Sequence, residues 1–342
     1  MLEAYCSGTP YEIGLKHGKL AKAPIARCID FYMGLFEKSA KLDWDQVQRT
    51  ASQFESTFQE KWPTYLKEMQ GIADGAGVKL IDILAINVRT EIAFGLFSDG
   101  CTSVSFMTDE ASYIAQNWDW ARAQKDNILQ LTIEQTGKPT IKIITEAGLI
   151  GKIGLNSAGV GICFNAIRAQ GMDPSRVPCH VALRMALECS SMNEAVQKLD
   201  SFGVASSSFM LIADPISTIG LEWSSIDVQK LHADSKGWIY HSNHYLLEHP
   251  GVHDTRWVTD SLFRIARIKE LRKQFCGEKQ SIEGIKGMLK DEMNFPAAIC
   301  RAEEQGVESE TLFSIVMNLT KKRAEVTIGR PTEPREHLVL EF

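Results

Sequence analysis

The periodicity of the chain changes at Cys101, and that change restricts the possible folds more than any other feature. Before it, apolar residues recur at helical spacing. Ile13, Ile25, Ile29, Phe31, Leu35 and Phe36 mark one stretch over 11–36, and Val47, Phe54 and Phe58 mark another over 43–62. Asp43 is placed to cap the second, and Pro63 to stop it or start the next. A short helix over 65–76, closed by Gly75 or Gly77, and a further one over 80–93 complete a helical first hundred residues. Gly95 to Gly100 then breaks the pattern. From Cys101 onward the texture is β: CTSVSFMT, SYIAQNWD, NILQLTIEQ, TIKIITEAG and IGKIGLNSAGVGICFNAI are short runs punctuated by Gly, Asp and Asn. Helical patterns return at 178–189, 193–202, 256–275 and 281–293, with strands between them and after them. Two blocks of strands with helix pairs between and beyond them predict packed antiparallel sheets covered by helices on both outer faces. No Ser/Pro/Gly-rich spacer marks residue 100. The pattern is that of one structural domain with a break in it, not of two tethered domains.

Composition narrows the function by exclusion. With 44% hydrophobic and 23% charged residues, the 342-residue chain has the balance of a soluble globular protein. A net charge of −6 gives no support for nucleic acid or an anionic membrane as the main partner. No apolar run approaches the ~18 residues of a membrane span. The first residues lack a secretory pattern and Leu340-Glu341-Phe342 is not an organelle address, so the expected location is cytoplasmic. The eight cysteines include no C-x-x-C pair, which argues against a zinc site and a disulfide framework. His241 and His244, three residues apart without a third ligand, make weak evidence for a metal. The open question is whether one cysteine is a nucleophile.

Asp99-Gly100-Cys101-Thr102-Ser103 puts a cysteine at the first position of a strand, directly after a glycine. Gly100 has access to backbone conformations that would turn its carbonyl toward the neighbouring thiol. Attack there shifts the acyl group from nitrogen to sulfur, and hydrolysis frees a new N-terminus at Cys101. An α-amine with an ordinary pKa of ~7.7–8.0 then accepts the thiol proton, so one residue supplies nucleophile and base. The dipeptide alone is more often a buried cysteine than a catalytic one, and its surroundings carry the case. Asp119 ends the next strand run, where a hairpin partner returns beside Cys101; it either holds an amine or cation there or serves as a turn aspartate. Asn243, in His241-Ser242-Asn243-His244 after a strand, either offers a side-chain N–H to an oxyanion or caps a turn. Arg301, in an apolar setting, calls for a carboxylate partner.

These residues fall within motifs that run nearly end to end: GTPYEIGLKHG at 8–18, NVRTEIAFGL at 87–96, DGCTS at 99–103, QNWDW at 116–120, HVALRMALE at 180–188, GLEWS at 220–224, HSNH at 241–244, AICRAEEQG at 298–306 and GRPTEP at 329–334. In combination they resemble the acyl-coenzyme A:isopenicillin N acyltransferase family, which are cysteine N-terminal-nucleophile hydrolases. The resemblance implies a four-layer αββα sandwich. It implies a precursor that cuts itself between Gly100 and Cys101 into a helical α chain, 1–100, and a β chain, 101–342. It places the nucleophile on Cys101, with Asp119, Arg301 and an oxyanion-hole Asn243 in the catalytic set and Ser224 in maturation or acyl handling. The substrates it implies are an acyl-CoA thioester or isopenicillin N and an amine such as 6-aminopenicillanic acid. It calls for no metal or prosthetic group, coenzyme A being part of a substrate. Two departures stand out: Ala298 replaces a serine shortly before the site arginine, and the family's C-terminal peroxisomal tripeptide is missing. Hydrolysis of another N-acyl or aminoacyl amide, and an uncleaved inactive form, are the rival expectations.

Overall fold

The strand that carries Cys101 begins at Gly100, and the described helices before it end at Ala93. The computed structural model describes residues 1–93, 100–253, 259–275 and 282–342. Of the expected break over 95–100, residues 95–99 lie outside the described residues, as does Cys276, and Gly100 is already in a strand. The first part holds α1 (Pro10–Leu20), α2 (Lys22–Ala40), α3 (Trp44–Ser52), α4 (Glu55–Lys61), α5 (Pro63–Ala76), α6 (Leu80–Asn87) and α7 (Arg89–Ala93). Asp43 caps α3 by accepting from the Gln46 N–H, Pro63 is the first residue of α5, and Gly77 ends α5 at φ 74. One expectation is corrected. The first residues are not all helical, because Leu2–Ser7 form a strand, β1. It is held by parallel pairing with Ile128–Glu134 (β4), more than a hundred residues away, so only a non-local partner makes it a strand.

The remaining strands are β2 (Gly100–Met107), β3 (Ser112–Trp120), β5 (Ile141–Glu146), β6 (Ile153–Asn156), β7 (Gly161–Ala166), β8 (Ser208–Ala213), β9 (Thr218–Trp223), β10 (Val228–Leu231), β11 (Trp238–His241), β12 (Glu310–Asn318), β13 (Arg323–Arg330) and β14 (Glu333–Glu341). Helices α8 (Cys179–Leu187) and α9 (Met192–Phe202) interrupt them, and α10 (Thr259–Phe275) and α11 (Ile282–Leu289) precede the last three. Among the described residues there are two sheets. One has eight strands in the order β1-β4-β5-β6-β7-β8-β9-β10, and the other has six in the order β11-β2-β3-β12-β13-β14. The main core lies between the sheets and under the N-terminal helices with α8 and α9. A second cluster joins Val104, Phe106, Ala115 and Val316 to Ile265, Ile268, Ile285 and Met288, so α10 and α11 cover the outer face of the six-stranded sheet. The layers are helix, sheet, sheet, helix, as expected.

Strand alternation gives β2 two distinct faces. Ser103 and Ser105 meet the eight-stranded sheet, through Asn165 at 2.8 Å and Thr218 at 2.9 Å. Thr102, Val104 and Phe106 face α10. Cys101 has the parity of Ser103, so its thiol belongs to the inter-sheet face.

Helices α1 and α5 cross so closely that only glycine fits. A Cβ on Gly14 would stand 1.9 Å from the Glu68 carbonyl oxygen, and one on Gly71 would stand 2.2 Å from that of Tyr11. Gly71→Ala should therefore cost at least ~2 kcal/mol in denaturant unfolding. Gly34→Ala, on a helical position with no atom within 4 Å, should instead stabilise by roughly 0.5–1 kcal/mol. Equal effects of the two changes would contradict the close crossing.

Candidate active site

Cys101 is the second residue of β2 and is 1% exposed. In the continuous chain its backbone N–H donates to Asn243 Oδ1 at 2.8 Å. The Asn243 amide in turn donates to the Ala166 carbonyl at 2.9 Å, while its own backbone N–H is held by Ser261 Oγ at 2.8 Å. Asn243 is thus fixed beside Cys101 with its oxygen, not its N–H, toward the Cys101 nitrogen.

Arg264, on α10, completes this clamp. Its guanidinium is fully buried and donates to the Cys101 carbonyl, to Thr102 Oγ1 at 3.1 Å and to Asn243 Oδ1 at 2.8 Å. Its Nε donates to Asp260 at 3.1 Å. Arg301 Nη1 donates to the same Asp260 oxygen at 2.8 Å. Burial pulls the Arg264 guanidinium below its ordinary pKa, and the Asp260 charge opposes that pull. Asp260 is held below the usual carboxylate range because the two guanidiniums outweigh its burial. The expected carboxylate partner of Arg301 exists, and it is Asp260.

Asp119 lies opposite Gly100 in the β2–β3 ladder, the hairpin return that the sequence suggested. Its side chain is on the α10 face, accepts from Thr311 Oγ1 at 2.7 Å, and has Oδ2 buried without a partner. Burial raises its pKa to about 7, against the pull of Arg301 and Arg264.

The structural reason for Gly100 differs from the expected one. Gly100 is not among the left-handed glycines. A Cβ there would stand 2.9 Å from Arg301 Nη1, so the glycine is needed to let the guanidinium lie against the peptide that precedes Cys101. Ala298, also fully buried, lies in the segment that leads to Arg301.

Ser224 follows β9, and its hydroxyl is engaged in the β9–β10 turn with Asp227, accepting from the backbone N–H groups of Ile226 and Asp227. His241 and His244 do not converge. His241 stacks on Phe209 and meets Glu222 Oε1 at 2.7 Å, whereas His244 meets Ser261 Oγ at 2.6 Å.

Cys101, Gly100, Asp119, Asn243 and Arg301 are therefore brought together. Sequence reading missed Arg264, Asp260 and Thr311. An Asp and an Arg four apart on one helix gave a signal for the first two, but it is the pattern of any solvated helix pair.

On the thiol face of β2, Trp118 is the direct partner of Cys101 and forms one wall of a cavity between the sheets. Trp120 and Phe164 add aromatic walls, and Arg89, Lys152 and Arg168 add charge.

The architecture defines an N-terminal-nucleophile hydrolase fold. Two structures of conjugated bile acid hydrolase from Clostridium perfringens, both point variants, share it. One matches with TM-score 0.52 at 12% identity, covering 70% of this chain and 92% of that one. The other matches with TM-score 0.50 at 13% identity, covering 71% and 92%. The family model for acyl-coenzyme A:6-aminopenicillanic acid acyl-transferase matches residues 106–333. The acyl-coenzyme A:6-aminopenicillanic-acid-acyltransferase 40 kDa form of Emericella nidulans is 42% identical over 347 aligned residues, spanning 100% of this chain and 96% of that protein. The chain belongs to this acyltransferase family, and it is an enzyme of acyl-transfer or amide-hydrolysis chemistry.

The raised carboxyl makes a pH prediction. Unfolding frees Asp119 to ionise near 3.9, whereas in the fold it keeps its proton up to about 7. Its contribution to stability is thus lost as pH rises between those values, because the folded state then binds the extra proton. Asp119→Asn should gain stability relative to wild type by ~2–4 kcal/mol on going from pH 4 to pH 8 in urea unfolding. A pH-independent difference would mean that the carboxyl is not held neutral.

Proposed function

We propose that the chain is an autoproteolytically activated acyltransferase whose nucleophile and base both reside on Cys101. The observation that carries this is the convergence on one peptide bond. The Gly100–Cys101 link has Arg301 packed against its glycine, Asn243 Oδ1 on its nitrogen, and Arg264 on the next carbonyl.

In the first reaction Cys101 Sγ attacks the Gly100 carbonyl carbon, and the C–N bond breaks as the acyl group moves to sulfur. Water then cleaves the thioester, freeing the Gly100 carboxylate and the Cys101 α-amine. Chains 1–100 and 101–342 stay together through the shared core. Asn243 Oδ1, which accepts from the backbone N–H in the uncut chain, is placed to accept from the amine. In the second reaction that amine takes the thiol proton, and the thiolate attacks the acyl-CoA thioester or an amide such as isopenicillin N. The coenzyme A thiol or the amine leaves with the proton. An amine acceptor such as 6-aminopenicillanic acid, or water, then takes the acyl group. The reaction as written requires no metal or prosthetic group, and coenzyme A enters only as part of the substrate. The oxyanion role expected of Asn243 requires its amide to leave the Ala166 carbonyl in the cut state. Backbone N–H groups are the other available donors. Asp119 and Arg301 orient the cluster, and Ser224 contributes through the turn it pins. The seven described cysteines are free thiols, which suits a reducing, cytoplasmic setting.

Wild-type protein should resolve into two fragments by denaturing mass spectrometry, and Cys101→Ala should stay one chain of 38.2 kDa without activity. A processed Cys101→Ala chain would overturn the autocatalytic account. Gly100→Ala should slow fragment formation at least ~10-fold, because its methyl displaces Arg301. Thiol release from phenylacetyl-CoA should rise on adding 6-aminopenicillanic acid; release that ignores the acceptor identifies a hydrolase.

A further inference from the structure

Two sequence motifs, GLEWS at 220–224 and HSNH at 241–244, meet at a buried carboxylate that the reactions above do not use. Glu222 lies on β9, in the eight-stranded sheet, and is closed off from water. Its Oε1 meets His241 Nε2 at 2.7 Å and accepts from the Leu246 N–H at 2.7 Å. Its Oε2 accepts from the Leu247 N–H at 3.0 Å and meets His249 Nε2 at 3.4 Å. All four partners belong to 241–249, the segment that carries Asn243, and they stand on both sides of it. Residues 242–250 form neither helix nor strand, so no ladder fixes this segment and side chains must satisfy its backbone.

The His241 contact ties the two sheets together. His241 ends β11 of the six-stranded sheet, and its ring lies flat on Phe209 of β8, with centres 3.6 Å apart and planes 6° apart. Phe209 is the cross-strand partner of Glu222, so one pair meets the imidazole on its face and at its edge. The ring's Nδ1 stands 2.9 Å from the Ser242 carbonyl, which can only accept. Burial pushes the Glu222 pKa up, but the His241 bond and charge and the Leu246 and Leu247 N–H groups hold it below the usual carboxylate range. Both nitrogens of His241 therefore face acceptors and donate to them, which makes Glu222 and His241 a buried charged pair. Asp227 Oδ1, 2.9 Å from His249 Nδ1, holds the far side of the second ring.

We propose that Glu222 is a positioning residue for the chemistry at Cys101: by holding His241, Leu246, Leu247 and His249 it fixes the segment between them, and so keeps the Asn243 oxygen on the Cys101 nitrogen. Ser261 and Arg264 hold Asn243 from the α10 side, and Glu222 holds its segment from the eight-stranded sheet. Charge is what a neutral side chain of the same shape lacks. In Glu222→Gln an amide N–H must face a backbone N–H or the imidazole, and His241 loses its counter-charge at a buried position. The bearing of this clamp on bond cleavage rests on the reading of Cys101 as the nucleophile; the clamp itself does not.

Amide hydrogen exchange of the full-length chain tests the clamp without calling on activity, with Cys101→Ala in every sample to keep the chain uncut. Adding Glu222→Gln should speed exchange at the amides of residues 101, 243, 246 and 247 by about tenfold or more, and leave those of β12 and β13 as they were. Nitrogen NMR of the same chain with its own Glu222 should show two N–H groups on the His241 ring at neutral pH. That measurement stands even if Glu222→Gln does not fold. In the chain that keeps Cys101, Glu222→Gln should slow the appearance of the two fragments by about tenfold or more. A His241 ring with one N–H overturns the proposal. So does exchange that is unchanged or rises equally in all strands, and so do fragments that form at the wild-type rate despite the local loosening. Local loosening in protein that never cuts itself supports the clamp and counts instead against the autoproteolytic reading.

Discussion

A buried guanidinium ties the start of β2 to the loop that carries Asn243. Arg264 has no exposure to water and spends its donors on the carbonyl of Cys101, the hydroxyl of Thr102, the side-chain oxygen of Asn243 and the carboxylate of Asp260. An unpaired charge at that depth costs several kcal/mol, so the arrangement holds only if every acceptor is in its place. The N-terminal end of β2, the loop that carries Asn243 and the first turns of α10 are therefore fixed by one group. The hydrophobic cluster of Val104 and Phe106 with Ile265 and Ile268 seats the helix that delivers it. Asp260 extends the clamp to Arg301, and Arg301 rests against Gly100.

The charges of this cluster bear on how an amine at Cys101 would behave. Two guanidiniums are balanced by one ionised carboxylate, Asp260, and by Asp119, whose pKa lies near neutrality. If the peptide bond opened, two charges would appear together, a protonated amine beside Arg264 and a Gly100 carboxylate beside Arg301. Arg264 disfavours the amine proton and the new carboxylate favours it, so the net charge of the cluster would not change as the bond is cut.

Much of this was legible in the sequence because it rests on local rules. The change of period at Cys101, the cap at Asp43, the stop at Gly77 and the hairpin that returns Asp119 depend on neighbours a few residues away. What the sequence hid depends on distant partners. Leu2–Ser7 is a strand only because β4 accepts it in parallel. Arg264 sits in a helix with Arg267, Lys269, Arg272 and Lys273, and nothing local separates the one fully buried guanidinium from the partly buried and exposed cations beside it. Thr311 is drawn to Asp119 from 192 residues away. Gly100 was read for the backbone freedom of glycine, whereas the structure needs its lack of a side chain, a requirement created by an arginine two hundred residues later.

The two faces of β2 and β3 divide the labour of the site. Thr102, Asp119, Arg264 and Arg301 lie on the helix side and set the geometry and charge of the Cys101 main chain. Trp118, Lys152, Phe164 and Ser207 lie on the inter-sheet side and line the cavity there. The cavity walls come from β3, β7, α7 and the segments flanking β6 and β8, whereas the clamp comes from α10, β12 and the loops before them. β3 serves both through adjacent residues whose side chains point in opposite directions, and β7 joins the two at Ala166, which lines the cavity and accepts from the Asn243 amide. Alternation along a strand keeps neighbouring side chains out of each other's environment, so Trp118 and Asp119 serve the two faces independently.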